Sequence, residues 1–236
     1  MGTQMCEGEG PDLLLYIIRH GETDGNLRGV LQGRTDAPLN EKGRALAEVT
    51  ARALADIPFD LAISSPLSRA RETAEILLRC NRNPAPELRF DERILEMNFG
   101  AWEGCGISPE NFSVPTETFL RFYTDPLHCD RAPDGENFAD VCRRTGEFYQ
   151  ELIRDPALQD KTVLISTHGV ALRCMLQQVY APGGDFWHGK TPDNCAVNII
   201  RAENGVGTLV GDDLIFYDPA LAVNPYKPVE KGERSV

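Results

Sequence analysis

Apolar runs and amphipathic stretches alternate along most of the chain. Residues 13–18 form a continuous apolar run, and shorter runs of the same kind occupy 61–63 and 163–165. Runs of this length, bounded by polar residues, are typical of buried strands. Asn40 precedes a stretch with helical spacing of apolar residues and is predicted to be its N-cap, and a further helix is predicted over 137–154. This alternation predicts an α/β fold whose mostly parallel central sheet is covered on both faces.

The spacing within the helical stretches also predicts which residues face inward. In the helix that follows Asn40, the positions expected to face inward are Leu46, Val49, Ala53 and Leu54. In the helix over 137–154, they are Val141, Thr145, Phe148 and Leu152. A third helix should follow the second strand and run to Cys80. Ser65 and Pro66 are predicted to be its N-cap and first residue.

The remaining segments depart from this regular alternation. Residues 84–133 combine prolines, glycines and many aromatic residues, and we expect them to fold over the sheet as a lid insertion. The aromatic rings are expected either to stack on a ring of the substrate or to pack the lid, and packing is preferred. Two late strands are predicted over 196–201 and 207–210. The tail over 220–236 is expected to be peripheral. No repeat of fixed period appears. Because the candidate catalytic residues lie both near the start of the sequence, at Arg19 and His20, and late in it, at His168, we predict a single domain over 1–236.

Two of the predicted strands end in His-Gly. The first strand delivers Arg19 and His20 directly into a glycine turn. The third delivers His168 beside Gly169, before a helix predicted over 170–180 whose first amides are suited to hold a phosphate. The carboxyl ends of parallel strands form the ligand crevice of open α/β sheets, so these side chains should meet there. Arg69, in the first turn of the helix after the second strand, should reach the same edge. A guanidinium is suited to phosphate and a neutral imidazole to nucleophilic attack, although capping of a strand by polar residues would explain the first pair alone.

Six ordered blocks resemble the phosphoglycerate-mutase-like branch of the histidine phosphatase superfamily. The blocks are Arg19-His20-Gly21-Glu22 with Asn26, Gln32-Gly33, Leu39-Asn40-Gly43, Ser64-Ser65-Pro66-Leu67-Arg69-Ala70-Thr73-Ala74, Glu96 with Gly100 and Trp102-Glu103-Gly104, and His168-Gly169. The order of six blocks is far more specific than any block alone. Residues 105–115 depart from the family pattern. The resemblance implies a three-layer α/β/α sandwich with a helical lid.

The resemblance also implies a two-step phosphoryl transfer in which His20 is the nucleophile and neither a metal nor another cofactor takes part. Such a transfer needs donors around the three equatorial oxygens, and Arg19, Arg69 and His168 are the candidates. The ring nitrogen of His20 that does not react is expected to donate to a backbone carbonyl. Further contacts to the substrate are assigned to Asn26, Gln32, Gly33 and Gly169.

A carboxyl group should protonate the leaving oxygen, and Glu96 is predicted to do so. Glu96 is the family's matching position, and its apolar neighbours in the sequence are expected to keep the carboxyl protonated. Glu22 and Glu103 are the alternatives. We expect Glu22 to support the nucleophile loop by hydrogen bonds instead.

Composition narrows the choice of partners. The net charge of −12, from 24 Lys and Arg against 36 Asp and Glu, opposes binding to nucleic acid or to an anionic membrane surface, and favours a small phosphate monoester as substrate. The seven cysteines show no paired spacing and are interpreted as reduced thiols, without a disulfide framework or a zinc site. Residues 1–12 lack the features of a signal peptide, and no apolar run reaches membrane-spanning length, so a cytoplasmic location is expected. The oligomeric state stays open.

Three functions fit these observations. The first is a phosphomonoesterase, the second a phosphoglycerate mutase, and the third a non-catalytic regulator that binds phosphorylated ligands. Residues 99–104 and the Gln32-Gly33 pair resemble the phosphatases, and the mutases carry a longer insertion between the acid and the second histidine, so the phosphatase is preferred. The substrate stays open among sugar phosphates, phosphoglycerates, nucleoside monophosphates and a nucleotide-loop phosphate of cobalamin synthesis.

Overall fold

A six-stranded sheet forms the centre of the computed structural model, which describes residues 12–108 and 111–222. The strands are β1 (Leu13–Arg19), β2 (Leu61–Ser64), β3 (Leu88–Phe90), β4 (Thr162–Thr167), β5 (Val197–Glu203) and β6 (Val206–Leu214). Their order across the sheet is β3-β2-β4-β1-β5-β6. The first four are mutually parallel, whereas β5 runs antiparallel to β1 and pairs with β6 as an antiparallel hairpin.

Helices cover both faces of this sheet. They are α1 (Asp24–Arg28), α2 (Glu41–Ala53), α3 (Ser68–Cys80), α4 (Thr116–Thr124), α5 (Phe138–Arg154) and α6 (Gly169–Leu176). Alternate residues of β1 serve the two faces: Leu15 and Ile17 pack in a core with α5 and α6, while Ile18 packs with α2 and α3. The predicted three-layer α/β/α sandwich with a mostly parallel sheet is therefore confirmed.

Three local predictions need correction. Helix α3 begins at Ser68, two residues after the expected start, because its first amide donates to the carboxylate of Asp36 (2.7 Å) and Ser65 is engaged elsewhere. Ala53 is exposed, because the buried face of α2 passes through Ala47 and Ala51 instead. Helix α6, expected to reach position 180, ends at position 176 in a series of turns.

The segment predicted as a lid contains two kinds of structure. Residues 88–90 form the edge strand of the sheet, and α4 packs farther along against a third core beside the crevice. Within that core Phe122 lies against Phe138, with ring centroids 4.8 Å apart, and against Trp187 at 5.3 Å. The predicted packing role of the lid aromatics is confirmed by these contacts.

Of the predicted tail, positions 223–236 lie outside the described residues, as do positions 1–11 used in the signal-peptide prediction. The six cysteines of the described part are free thiols. Within 12–108 and 111–222, each helix is too short or too polar to cross a membrane.

Candidate active site

A cavity opens at the carboxyl ends of β1 and β4, where the two predicted strand-His-Gly units meet. Its volume, including the mouth, is about 430 Å³. Six of the residues selected from the sequence line it: Arg19, His20, Asn26, Gln32, Glu96 and Gly169. Arg69 and His168 are fully buried beside the cavity, and the ring centroid of His168 lies 5.2 Å from that of His20.

The backbone around His20 fixes the orientation and the tautomer of its ring. The His20 amide donates to the carbonyl of Thr167 (2.9 Å), which fastens the end of β1 to the end of β4. The Nδ1 atom lies 2.7 Å from the carbonyl oxygen of Gly21. Because a carbonyl only accepts, Nδ1 carries the proton and Nε2 keeps its lone pair. This is the hydrogen bond predicted for the nucleophile.

Both site histidines are neutral at physiological pH. Burial, followed by the positive charges of Arg69 and Arg19, holds the pKa of His20 well below 6.5. Burial, Arg69 and His20 hold the pKa of His168 well below 6.5 in the same way. The Nε2 atom of His168 lies 2.8 Å from the hydroxyl of Ser65, which was expected to cap α3. His20 is therefore a neutral base whose Nε2 atom is unprotonated and lies near positively charged guanidinium groups.

The two arginines are anchored by neutral carbonyls rather than by carboxylates. Arg19 donates through Nη1 to the carbonyl of Pro192. Arg69 donates to three carbonyls of one loop, those of Thr35 (2.8 Å), Gly33 (2.9 Å) and Gln32 (3.2 Å). The Nε atoms of both guanidinium groups are buried without a hydrogen-bond partner among the described residues. Two buried donors therefore remain available to an anion, and neither guanidinium forms a direct ion pair with a carboxylate of the described residues.

Glu96 occupies the start of α6, which was expected to hold the substrate's phosphate. Its Oε1 accepts from the amides of Met97 (2.8 Å) and Ala171 (3.1 Å), and its Oε2 accepts from that of Val170 (3.1 Å). The apolar environment predicted for this carboxyl is wrong, because three N–H groups surround it. Oε2 accepts only one amide, so it has capacity for a further hydrogen bond to a ligand oxygen.

The segment that carries Glu96 is held by Arg144. The Nη1 atom of Arg144 donates to the carbonyls of Arg93 (2.8 Å) and Leu95 (2.6 Å), and Nη2 donates to that of Glu96 (3.0 Å). Its Nε pairs with Glu136 at 2.9 Å, and the side chain is only 12% exposed. Arg144 belongs to no block that the sequence analysis singled out.

Gly33 does not contact the cavity, contrary to its assignment to substrate binding. Its amide donates to Glu103 (3.0 Å) and its carbonyl accepts from Arg69. A Cβ at this position would lie 2.1 Å from the carbonyl oxygen of Met97, so only glycine fits. Gly33 thus belongs to the loop that holds Arg69 in place.

The two alternative acids are engaged away from the cavity. Glu103 accepts from the amides of the same loop, at positions 33 to 35. Glu22 accepts from the side chain of Asn40 (2.9 Å) and pairs with Lys42 (3.1 Å), as expected for support of the nucleophile loop. In the described part of the chain, no group of three or more His, Cys, Asp or Glu residues is arranged to hold a metal ion.

The loop after α6 supplies residues that the sequence analysis missed. Asn194 donates to the carbonyl of His20 (3.0 Å) and to the side chain of Asn26 (3.3 Å), while Trp187 and Thr191 line the cavity. No spacing or motif marks these positions. A neutral imidazole, buried guanidinium donors and a carboxyl group at one cavity are the groups that phosphoryl transfer requires.

Comparison with known proteins gives the same family as the motif blocks. A family model described as histidine phosphatase superfamily (branch 1) matches residues 15–212. The 2,3-bisphosphoglycerate-dependent phosphoglycerate mutase 2 of Gloeobacter violaceus is 31% identical over 70% of this chain and 75% of its own. The Bacillus subtilis protein named uncharacterized phosphatase PhoE is 30% identical over 79% of this chain and 88% of its own.

Solved structures agree with the sequence relatives. YhfR of Bacillus stearothermophilus superimposes with a TM-score of 0.73 at 30% identity, covering 86% of this chain and 97% of its own. A mycobacterial glucosyl-3-phosphoglycerate phosphatase in complex with VO3 gives a TM-score of 0.73 at 25% identity, with coverage of 85% and 98%. With the match extending from β1 into β6, the chain belongs to branch 1 of the histidine phosphatase superfamily.

Proposed function

We propose that this protein is a metal-independent phosphomonoesterase that hydrolyses small phosphate monoesters through a phosphohistidine on His20. The observation that carries the proposal is the hydrogen bond from Nδ1 of His20 to the Gly21 carbonyl, because it leaves the Nε2 lone pair in a cavity flanked by buried cations. The family supports phosphoryl chemistry in general, since its named members include both phosphatases and mutases.

In the first step, Nε2 of His20 attacks phosphorus as the bond between phosphorus and the leaving oxygen breaks. Arg19, Arg69 and His168 stabilise the charge on the equatorial oxygens, with Asn26 and the Gly169 amide as neutral donors. Glu96 must enter this step protonated; it then gives that proton to the departing alkoxide, so that the alcohol leaves uncharged. Protonation of this kind typically contributes a factor of about 10² to 10⁴ in rate.

In the second step, water attacks the phosphoryl group on His20 and the bond between phosphorus and Nε2 breaks. Glu96, now a carboxylate, accepts the proton of that water and returns to its starting state. Inorganic phosphate leaves and His20 regains its lone pair. Cationic side chains of the chain itself supply the positive field throughout, so the scheme assigns no role to a metal ion.

Transfer to a second alcohol, as in a mutase, is the second candidate. The mutase relative at 31% identity favours it. The two activities differ only in the acceptor of the phosphoryl group, which is water in one and a hydroxyl of the phosphoglycerate in the other. Product analysis therefore separates them.

The test is turnover of an aryl phosphate in the presence of EDTA, with and without glycerol as an acceptor. We expect inorganic phosphate as the main product, and we expect His20→Gln to lower the rate by about 10³-fold or more while the control His128→Gln, at an exposed position, leaves it unchanged. Restoration of EDTA-treated enzyme by Mg²⁺ would refute the metal-free scheme. Glycerol phosphate as the main product would favour a transferase, and absence of any turnover would favour the non-catalytic regulator.

A further inference from the structure

Much of the cavity wall away from the catalytic groups is apolar. Of the described residues that line the cavity, Arg19 is the only cation and Glu96 the only carboxylate, and both belong to the phosphoryl-transfer machinery. Besides the polar side chains of Asn26, Gln32 and Thr191, the remaining wall consists of aliphatic and aromatic side chains, chiefly Leu31, Phe99, Phe122, Tyr123 and Trp187. A substrate's leaving group would therefore meet hydrocarbon beyond its scissile oxygen.

This apolar surface continues past the cavity. A small adjoining pocket shares Leu31, Phe99 and Phe122 with the cavity, and its further walls include Trp102 and Phe119. The cavity and the pocket thus share part of their walls. Apolar surface extends in this direction from the catalytic groups, toward the part of the lid formed by α4.

The rings of this wall support one another. Phe122 stacks on Trp187 with centroids 5.3 Å apart and planes at 29°, and it lies 6.2 Å from the ring of Phe99. The indole nitrogen of Trp187 donates to the carbonyl of Phe122 (3.0 Å). The wall is therefore a packed surface that keeps its apolar character when a ligand enters.

A charged group placed against this wall would be disfavoured. A carboxylate or second phosphate there would lose hydration without gaining a cationic partner, whereas a ring or an alkyl chain would bury apolar surface on both sides. The excess of acidic residues in the chain adds long-range repulsion against a second anionic group.

We propose that the substrates are phosphate monoesters of neutral alcohols or phenols whose apolar body packs against Leu31, Phe99 and Phe122, and that monoesters with an additional anionic group are selected against. This specificity rests on the proposed phosphatase function. It also favours hydrolysis over the mutase reaction, because a phosphoglycerate carries a carboxylate in its leaving group.

The test compares two aryl esters that differ in charge but closely match in size and in the acidity of the leaving phenol. These are para-ethylphenyl phosphate and para-(carboxymethyl)phenyl phosphate. We expect kcat/KM to be about 10-fold or more higher for the ethyl ester, because the carboxylate of the other ester would be buried without a cationic partner. Equal values, or preference for the carboxylated ester, would overturn the specificity proposal while leaving the phosphatase intact. If neither ester were hydrolysed, the proposed function itself would fall.

A charge installed in the wall tests the cause of the preference. Tyr123→Lys places a cation on the wall and should raise the relative kcat/KM of the carboxylated ester by about 10-fold. Val206→Lys adds the same charge on the exposed edge strand, where the native side chain is 69% exposed, and should leave the ratio at its wild-type value. An unchanged ratio in the first variant, or an equal change in both, would contradict the proposal.

Discussion

The two site histidines should make the protein less stable as the pH falls below 6.5. Burial and nearby arginines hold the pKa of His20 and of His168 well below 6.5, so both stay neutral in the folded protein. In the unfolded chain a histidine titrates near 6.5 and takes up a proton in this range. The unfolded state then binds more protons, so stability increases with pH in this window and is lost as the pH falls.

The size of the effect follows from proton linkage. Between about pH 7.5 and about pH 5.5, each neutral histidine should cost about 1.4 kcal/mol of unfolding free energy, or about 3 kcal/mol for the pair. The pKa values of the Asp36, Asp60 and Glu136 carboxyls are also lowered, but from ordinary values of 3.8 to 4.5. Their stabilising contribution is lost at more acidic pH, below the window in which the histidines act.

Urea unfolding at about pH 7.5, 6.5 and 5.5, at constant ionic strength, measures this loss. The wild type and the control His128→Gln should lose about 3 kcal/mol across the series. The double variant H20Q/H168Q should lose little, because it removes both buried bases. If the double variant showed the same pH dependence as the wild type, the assignment of these histidines as neutral buried bases would be refuted.

Three substitutions test the supporting residues. Glu96→Gln should slow alkyl phosphates by roughly 10²-fold or more but spare aryl phosphates, whose phenolate leaves without a proton; equal slowing of both would make Glu96 a positioning group. Arg144→Met should lower the free energy of unfolding in urea by about 3 kcal/mol and should slow the hydrolysis of alkyl esters more than that of aryl esters. The substitution Arg143→Met, at an exposed neighbouring position, should have neither effect. Similar effects of the two substitutions would argue against the role of Arg144 in holding the segment that carries Glu96. Gly33→Ala should lower kcat/KM for every ester by about 10-fold or more, since the added Cβ displaces the loop that holds the phosphate-binding arginine, while Gly184→Ala, where a Cβ meets nothing closer than 3.5 Å, should behave as wild type.

Sequence periodicity predicted most of the architecture because every strand except β3, and helices α2, α3, α5 and α6, have a local signal. The run in β1 alternates between two cores, and Asn40 caps α2 through the amide of Gly43 (2.7 Å) as expected. The strand-His-Gly units predicted the nucleophile and its partner because the parallel pairing of β1 with β4 brings their carboxyl ends together. Ala53 was misplaced because apolar spacing at the end of a helix does not show where the buried stripe stops.

The support of the site could not be read from the sequence because it depends on contacts between distant positions. Ser65 meets His168 across 103 positions, and Asn194 meets His20 across 174. Two of the three amides around Glu96 come from α6, at separations of 74 and 75 positions, so the apolar sequence neighbours of Glu96 did not reveal them. In each case the local pattern identified the reactive side chain, and only the tertiary fold supplied what holds it.

The claim that His20 carries the phosphoryl group is tested most directly by trapping it during turnover. Because a phosphoramidate bond is labile in acid, the reaction should be quenched rapidly into base and the protein cleaved and mapped. We expect phosphate on the peptide that contains His20. The His20→Ala variant should lose this label, and the His168→Ala variant should keep some label on His20. Phosphate on His168 would exchange the two roles, and absence of any phosphorylated peptide while hydrolysis continues would show direct attack by water.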